Sequence, residues 1–443
     1  MTNHVSLPGF RDFYPSDLAV RSHIMSAWRE VARRYGFEEY DGPPLEQLEL
    51  YVEKSGEEIV RQLYNFEDKG GRAVALRPEM TPTLARMVGA KAGSLRKPIR
   101  WFSMPQLFRY ERTQRGRLRE HYQWNVDIIG EDDIAADAEV LAVALDALRV
   151  LGLGAEDVVA RYNDRRLLEA LLLHAGVRRE RLVAAYTVID KFGRDSIERT
   201  RARLAEEADL DDAAVNTVLE LFTSAAAVSG AAQSNGLSEL RAAHAGNDDV
   251  LREIDRLQVY EERLAALGLA EFVRFDPAIV RGLAYYTGTV FEIFDRKGEL
   301  RAICGGGRYD RLLASVSSAD LPAAGFGMGD VVLAELLRDR DLLPDTRPAV
   351  DTFIVAMSEA ERPLLLQIAS TLRARGESVL YSLRSAAVGK QLKEADARGA
   401  GRVILLGPDE VARGAATVRS MGTGAQEDVQ LDELLAEPAS VRP

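Results

Sequence analysis

The chain has 443 residues, of which 47% are hydrophobic and 28% charged, so we expect two or three globular domains with separate cores. No apolar run approaches membrane-spanning length and no secretory signal opens the chain, so we expect a cytoplasmic protein without a membrane partner. The single cysteine excludes an internal disulfide, the five scattered histidines form no zinc pattern, and the net charge of −12 argues against nonspecific coating of nucleic acid.

Two helices and a strand are predicted in the first 88 residues. Ser16 or Asp17 can cap a first helix, whose apolar positions have helical spacing: Ile24, Trp28, Val31 and Tyr35. Gly36 would end that helix, and the segment 42–44 (Gly-Pro-Pro) breaks regular structure. The segment 75–88 begins like a strand, and Thr81 and Pro82 open a second helix.

The segment 107–129 combines an arginine-rich loop with an alternating strand. Four arginines follow a short predicted strand around 107–111: Arg112, Arg115, Arg117 and Arg119. In the strand that comes next, one face is apolar and the other carries His121, Gln123, Asn125 and Asp127. A solvated strand face would give the same alternation, but the arginine loop beside it favours a ligand site.

The remainder of the chain alternates between helical and mixed patterns. Residues from about Gly152 to Asp255 have helical periodicity and carry no recognisable chemistry, so they are interpreted as a helical insertion. The turn 295–298 predicts a hairpin between the strand carrying a double tyrosine and a return strand at 300–303. After a proline-containing linker, strands and helices alternate, which predicts a small α/β domain.

The stretch RGLAYYTGTVFE at 281–292, followed by CGGGRYD at 304–310, is the most informative in the chain. Arg281 can meet a phosphate or carboxylate, and Tyr285 and Tyr286 offer rings and hydroxyls. The glycines let backbone approach a ligand closely. The combination suits a pocket for a small polar heterocyclic substrate beside an anion. No phosphate-binding loop of the GxxxxGK[ST] type occurs, so the phosphates of any nucleotide would be held by arginines.

These segments resemble the signature motifs of histidyl-tRNA synthetases, in the class II aminoacyl-tRNA synthetase family, and the resemblance extends through most of the chain. The helix, strand and Pro43 near the start are similar to motif 1, which implies a homodimer. The segment FRYERTQRGRLREHYQWNVDIIG is similar to motif 2. The C-terminal segment from Val388 resembles the anticodon-binding domain, and its basic residues can hold an RNA backbone: Arg384, Lys390, Lys393, Arg398, Arg402, Arg413 and Arg419.

The resemblance implies roles for particular residues. Arg281 and Arg109 would be catalytic. Histidine would be bound by Glu79, Met80, Thr81, Arg109, Gln123, Asp127, Arg281, Tyr285, Tyr286 and Tyr309. ATP would be bound by Arg109, Glu111, Arg117, His121 and Arg281, with no metal ligand assigned among the residues.

Three positions depart from the family pattern. His121 replaces a phenylalanine under the adenine, and Ala284 replaces the aspartate of RGLDYY. Motif 3 normally ends in an arginine that grips the γ-phosphate of ATP, and Val332 stands there instead. Either another arginine compensates (Arg308, Arg311 or Arg338), or ATP is bound weakly, or the chain is a paralogue with altered activity.

The sequence therefore predicts an α+β fold of the class II synthetase type, with an antiparallel-sheet catalytic core at 1–170 and 257–340. A helical insertion is expected at 171–256, a linker at 341–349 and an α/β anticodon-binding domain at 350–443. The implied function is histidine–tRNA ligase, using L-histidine, tRNA(His) and ATP as substrates, the last with Mg²⁺, and no bound organic cofactor. The alternative is a catalytically degenerate histidine-sensing paralogue akin to the regulatory subunit of ATP phosphoribosyltransferase. The tail favours the ligase, because that subunit typically lacks it, whereas Val332 favours the paralogue.

Overall fold

The structure is a computed structural model that describes residues 5–55, 60, 62–192, 195–228, 236–280, 286–317, 319–346 and 349–436. The chain divides into two compact units, Met1–Pro344 and Asp345–Pro443. Within the described ranges, no helix combines the length and the apolar character that a membrane crossing requires.

The first unit contains the following elements. Its helices are α1 Pro15–Arg34, α2 Glu49–Ser55, α3 Thr81–Lys91, α4 Ile134–Val150, α5 Arg165–His174, α6 Leu182–Ile189, α7 Ile197–Glu207, α8 Asp212–Val228, α9 Gly236–Ala243, α10 Asp248–Ala266, α11 Leu312–Val316 and α12 Asp330–Asp339. Its strands are β1 Glu38–Glu39, β2 Leu45–Gln47, β3 Asn65–Glu67, β4 Ala73–Leu76, β5 Ile99–Ser103, β6 Gln106–Phe108, β7 Glu120–Ile129, β8 Val158–Asp164, β9 Val273–Phe275, β10 Thr289–Asp295, β11 Cys304–Arg308 and β12 Ala323–Gly329.

A large sheet organises this unit, with strand order β1-β5-β7-β12-β11-β10-β8-β9 and β6 paired to β7. The central pairs are antiparallel, and only the outer pairs β1–β5 and β8–β9 of this order are parallel. A smaller antiparallel sheet has the order β2-β4-β3. The α+β fold with an antiparallel core sheet is therefore confirmed.

One face of the large sheet is covered by helices, which leaves the opposite face for a ligand. Trp28 of α1 stacks on Trp124 of β7 with ring centroids 5.8 Å apart, and Phe326 of β12 meets Trp124 edge-on at 5.1 Å. The buried residues of α4 pack in the same cluster. Because successive residues of a strand point to opposite faces, this packing turns the polar face of β7 away from the helices.

The first predicted helix is confirmed, but its predicted cap is wrong. Tyr14 is the N-cap residue and makes no side-chain capping bond, while Ser16 and Asp17 lie in the first turn. Pro15 takes the first helical position, where its missing N–H costs nothing, so the helix begins two residues earlier than a Ser16 cap would allow.

The predicted hairpin forms with different bounds. β10 begins at Thr289, after Tyr286, and the return strand β11 begins at Cys304 instead of Leu300. The Asp295 carboxylate accepts the backbone N–H groups of Glu299 and Leu300 at 3.2 and 3.0 Å, which holds residues after β10 in a wide turn.

The region interpreted as helical from about Gly152 begins with a strand. β8 lies between β10 and β9 in the large sheet, so the helical interpretation is wrong for Val158–Asp164. Helices α5 to α8 share a second buried cluster, whereas the buried face of α10 belongs to the same cluster as the large sheet.

The second unit is a small α/β domain, as the alternating pattern predicted. Its strands are β13 Val350–Ala356, β14 Val379–Tyr381, β15 Ala400–Leu406, β16 Ala415–Ser420 and β17 Gln426–Gln430; its helices are α13 Arg362–Ala374, α14 Val388–Ala397, α15 Pro408–Ala412 and α16 Leu431–Leu435. The sheet order is β14-β13-β15-β16-β17, with parallel pairing around β13 and antiparallel pairing beyond β15. Separate buried clusters lie on its two faces.

Candidate active site

The open face of the large sheet is built from polar side chains on β7 opposite glycines on β12. Asp127 pairs with Gly325, and Gln123 pairs with Gly329. A β-carbon at Gly325 would lie 2.1 Å from Asp127 Oδ1, and one at Gly327 would lie 1.8 Å from Gln123 Nε2. Only glycine therefore leaves room for these two polar side chains to lie across the neighbouring strand.

Asp127 lies at the bottom of this face. It is 5% exposed and accepts a hydrogen bond from the Tyr309 hydroxyl. Burial raises the pKa of Asp127 to about 7, although the Tyr309 hydrogen bond acts in the opposite direction. Near neutral pH the Asp127 carboxyl group can therefore either hold a proton or, when ionised, accept a hydrogen bond. The ionised form suits a ligand with an N–H group.

Tyr286 packs beside Asp127 and Tyr309. It is partly buried in a cluster that contains Tyr309, and a β-carbon at Gly307 would lie 3.0 Å from its Cδ1 atom. Burial, followed by the neighbouring Cys304, Glu292, Glu79 and Asp127, raises the pKa of Tyr286, so its hydroxyl keeps its proton and can donate. The structure therefore brings Glu79, Asp127, Tyr286 and Tyr309 into one neighbourhood.

The segment that precedes α3 is held in place by hydrogen bonds from two arginines. Arg77 is buried and donates to Asp41 Oδ1 at 2.8 Å and to the Gly42 carbonyl at 2.7 Å. The Met80 side chain is fully buried, and Thr81 is the first residue of α3. Arg109 Nε donates to the Pro78 carbonyl at 3.0 Å, which joins the segment to the end of β6.

A cavity of about 900 Å³ lies over the sheet and contains much of the predicted ATP site. It is lined by the following predicted residues: Arg109, Glu111, Arg117, His121 and Gln123. Its floor includes glycines of β11 and β12: Gly305, Gly327 and Gly329. A β-carbon at Gly329 would have no neighbour within 4 Å, so this part of the floor opens directly into the cavity.

His121 is held in its neutral form. Burial lowers its pKa to about 3, and the positive charges of Arg109, Arg11 and Arg117 add to the effect. A neutral imidazole ring presents a flat surface without adding charge, which suits stacking against a heterocyclic base.

The arginine-rich loop folds back over the cavity as a tight turn. The backbones of Gln114 and Arg117 exchange hydrogen bonds at 3.0 and 2.9 Å around Gly116, whose φ of +71° favours glycine. Arg117 forms an ion pair with Glu111 at 2.6 Å, and Arg115 pairs with Glu335 of α12 at 3.4 Å. Ion pairs thus connect the loop to Glu111, which follows β6, and to α12.

Val332 lies in the first turn of α12 and borders the cavity. It is 7% exposed. The preceding Asp330 accepts hydrogen bonds from the Tyr122 backbone N–H and from Arg11, each at 2.9 Å, which fixes the start of the helix against β7. Burial raises the pKa of Asp330, with the charge of Arg11 acting against it.

The sequence proposed Arg308 as one replacement for the missing motif 3 arginine, and that proposal is wrong. Arg308 is 1% exposed and forms a buried ion pair with Asp137 of α4, with Nε donating to Oδ2 at 2.9 Å. Among the described residues, Arg311 and Arg338 do not line the cavity either.

Two charged residues that line the cavity escaped the sequence analysis. Glu292 interrupts the apolar residues of β10 between Phe291 and Ile293, and this break in the pattern could have indicated it. Arg301 lies in the connection between β10 and β11, and nothing in the local sequence distinguishes it. Three positions discussed from the sequence, Arg281, Ala284 and Tyr285, lie outside the described residues.

The described part of the chain contains no group of three or more His, Cys, Asp or Glu side chains arranged to hold a metal ion. The cavity does offer two carboxylates, Glu111 and Glu292. Mg²⁺ characteristically keeps several waters and binds through one or two carboxylates together with substrate phosphates. This donor set fits a cation that arrives with a polyphosphate.

Comparison with known proteins places these features in a family. Residues 9–330 match the family model described as histidyl-tRNA synthetase, and residues 351–438 match the model described as anticodon binding domain. A protein named histidine–tRNA ligase from Opitutus terrae is 43% identical over 438 residues, covering 98% of both chains. The chloroplastic/mitochondrial histidine–tRNA ligase of Arabidopsis thaliana is 39% identical, covering 96% of this chain and 85% of the relative.

Solved structures show the same fold. The crystal structure of histidyl-tRNA synthetase from Nostoc sp. PCC 7120 superimposes with a TM-score of 0.81 at 23% identity, covering 98% of both chains. A structure from Bacillus halodurans titled ATP phosphoribosyltransferase regulatory subunit/histidyl-tRNA synthetase gives a TM-score of 0.75 at 23% identity, covering 92% of this chain and 99% of that one. At this identity the likeness concerns the fold alone.

Proposed function

The chain belongs to the histidyl-tRNA synthetase family and has histidine–tRNA ligase function, and from this premise we propose that histidine and ATP meet over the glycine floor of the large sheet. One observation supports the proposal most directly. The side chains of Gln123 and Asp127 occupy the space above glycines of β12, beside the cavity that Arg109 and His121 line. The alternative of a histidine-sensing paralogue is not favoured, because curated ligases match over nearly the whole chain, C-terminal unit included.

In the proposed histidine subsite, Asp127 accepts the imidazole N–H while Tyr309 holds the carboxylate in place. Tyr286 and Tyr309 border the ring, and Gln123, Glu79 and Thr81 bind the α-amino group. Met80 contributes only backbone, since its side chain is buried. By the family motif, Tyr285 and Arg281 complete this subsite.

In the proposed ATP subsite, His121 stacks under the adenine and Glu111 accepts its amino group. This requires the Glu111–Arg117 ion pair to open, which frees Arg117 for the terminal phosphate. Glu292 would hold Mg²⁺ on the phosphates, and the bound ion would supply positive charge that neutralises them.

The reaction proposed for this geometry is in-line attack at the α-phosphorus. A histidine carboxylate oxygen forms a bond to phosphorus, the bond from phosphorus to the bridging oxygen breaks, and pyrophosphate leaves with the electron pair. Arg109 orients the carboxylate and the α-phosphate, and Arg281 stabilises the charge that develops there. The tRNA 3′ hydroxyl then displaces AMP from the adenylate.

For the second unit we propose anticodon binding through an exposed basic surface. Arg384, Lys390, Lys393 and Arg398 are exposed, and no ion pair engages them among the described residues. Arg402 and Arg413 instead pair with Glu377 and Asp428, at 2.7 and 3.4 Å. A surface with so few unpaired cations would attract RNA only weakly by charge alone, which suits specific contacts with one tRNA.

The remaining proposals concern organisation. We propose that 171–256 forms a helical insertion in a catalytic core of 1–170 and 257–340, and that 341–349 links the core to the anticodon-binding domain at 350–443. We also propose a homodimer through the motif 1 elements around α1 and Pro43, working in the cytoplasm where translation takes place.

The test is histidine-dependent pyrophosphate exchange on the unmodified protein, with tRNA(His) charging measured in parallel. Both activities are expected, and Arg281→Ala should abolish exchange while leaving the protein folded. Asp127→Ala should weaken histidine binding by about 1–3 kcal/mol, as measured by calorimetry. Asp132→Ala, an exposed aspartate just beyond the same strand, is the matched control. Histidine binding without exchange at millimolar ATP would support the sensing paralogue instead.

A further inference from the structure

The chain lacks a cationic side chain at the motif 3 position, and the structure shows which group lies beside the gap. Val332 and Arg301 come together at the tip of the arginine-rich loop. A β-carbon at Gly116 would lie 3.2 Å from Val332 Cγ2 and 3.8 Å from Arg301 Cδ. Both residues line the cavity, so the Arg301 side chain lies close to the position from which a motif 3 arginine would reach into it.

Arg301 is held in this position by a neutral partner. Its Nη2 donates to Gln114 Oε1 in the same loop, and the residue is exposed. Within the described ranges, no carboxylate lies at ion-pair distance from its guanidinium, whereas Arg117 pairs with Glu111 and Arg115 with Glu335. Arg301 thus presents an un-neutralised positive charge to the cavity.

We propose that Arg301 binds the terminal phosphate of ATP in place of the missing motif 3 arginine; this inference rests on the proposed function. A guanidinium offers two parallel donors to phosphate oxygens, and its charge stabilises the pyrophosphate that departs when the bond at the α-phosphorus breaks. No proton moves in this role, since the group acts by hydrogen bonding and charge. Gln114 releases or shares the guanidinium when the phosphate arrives.

The experiment compares Arg301→Ala and Arg301→Lys with the parent in pyrophosphate exchange, varying ATP and histidine separately. Arg301→Ala should lower kcat/KM for ATP about 10²-fold, with KM for histidine unchanged. Lysine should restore part of the loss, because it keeps the charge but not the two parallel donors. Arg338→Ala is the matched control, an exposed arginine of α12 that does not line the cavity.

A second measurement separates a phosphate contact from a general defect. Inhibition by ADP, which has no γ-phosphate, should be the same in Arg301→Ala and the parent, while ATP binds more weakly to the variant. Adding Val332→Arg to Arg301→Ala should recover ATP use, because it returns a guanidinium to the family position.

The outcomes distinguish this inference from the function on which it rests. If the parent shows no histidine-dependent exchange, the proposed function fails. If the parent is active and Arg301→Ala uses ATP equally well, the role of Arg301 is overturned and the ligase function stands. Equal weakening of ADP and ATP binding would also overturn it, since the contact would then lie elsewhere on the nucleotide.

Discussion

At the residue scale, the same side-chain type takes opposite roles according to its surroundings. Arg308 is buried against Asp137 and joins β11 to α4, whereas Arg301, seven positions earlier, faces the cavity. Asp127 shows the same dependence among carboxyl groups, because burial raises its pKa to about 7. Chemical type in the sequence therefore sets what a residue can do, and burial decides which of those roles it performs.

The raised pKa of Asp127 predicts a pH effect on stability. An unfolded aspartate titrates near 4, so between about pH 4 and pH 7 the folded protein retains a proton that the unfolded chain has lost. The free energy of unfolding should therefore fall as pH rises through that window, and it should stop falling from this cause above pH 7. Each tenfold difference in proton affinity is worth about 1.4 kcal/mol.

Asp127→Asn removes this titration but keeps an oxygen for Tyr309. Denaturant unfolding of both proteins at pH 5 and pH 8 should show the variant gaining stability relative to the parent at the higher pH, by about 1–3 kcal/mol. A difference between the two proteins that stays constant with pH would contradict the buried titration.

At the scale of elements, the site depends on the contact between β7 and β12. The residues of β12 that face the cavity are glycines, and they leave the space that the polar side chains of β7 occupy. The loop of arginines and the start of α12 then close the cavity from one side. Strand register thus sets the geometry of the binding residues before any ligand arrives.

Gly325→Ala should break this arrangement. Its new methyl group would lie 2.1 Å from Asp127 Oδ1 and 2.6 Å from the Val126 carbonyl, so the Asp127 side chain must move. We expect a loss of about 1–3 kcal/mol of stability together with loss of measurable histidine binding. Gly305→Ala is the control on the same face, because its nearest neighbour would be Glu292 Cγ at 3.9 Å. Equal effects of the two substitutions on stability would show that the β7–β12 contact is not special.

At the scale of the whole molecule, the two units have separate buried clusters. Each described cluster lies within one unit. The acidic and basic residues of the second unit nearly balance, so its proposed attraction for RNA resides in a few exposed cations and not in net charge.

Truncation after Pro344 should leave a folded protein that binds histidine with parental affinity. It should bind tRNA(His) much more weakly at the same salt concentration, since the proposed anticodon-binding surface is gone. Filter binding at fixed salt measures the effect, and calorimetry with histidine is the control for folding. If tRNA affinity is the same with and without residues 345–443, the anticodon-binding proposal is wrong, and the arginine-rich loop becomes the candidate RNA contact.

The sequence by itself determined the family, the order of the units and the polar face of β7, because these depend on local pattern and motif. Alternation alone placed Gln123 and Asp127 on one side of their strand. The hairpin ends and β8 were misjudged, since the Asp295 turn and the sheet environment outweighed local pattern.

Only the tertiary structure decided that Arg301 faces the cavity and Arg308 does not. Arg308 finds its partner Asp137 at a separation of 171 residues, and Arg301 meets the loop around Gly116 across nearly two hundred. Such contacts follow from strand register and helix packing across the whole first unit, and no local spacing encodes them. The physical reason is that burial and charge pairing depend on neighbours in space, whereas periodicity reports only neighbours along the chain.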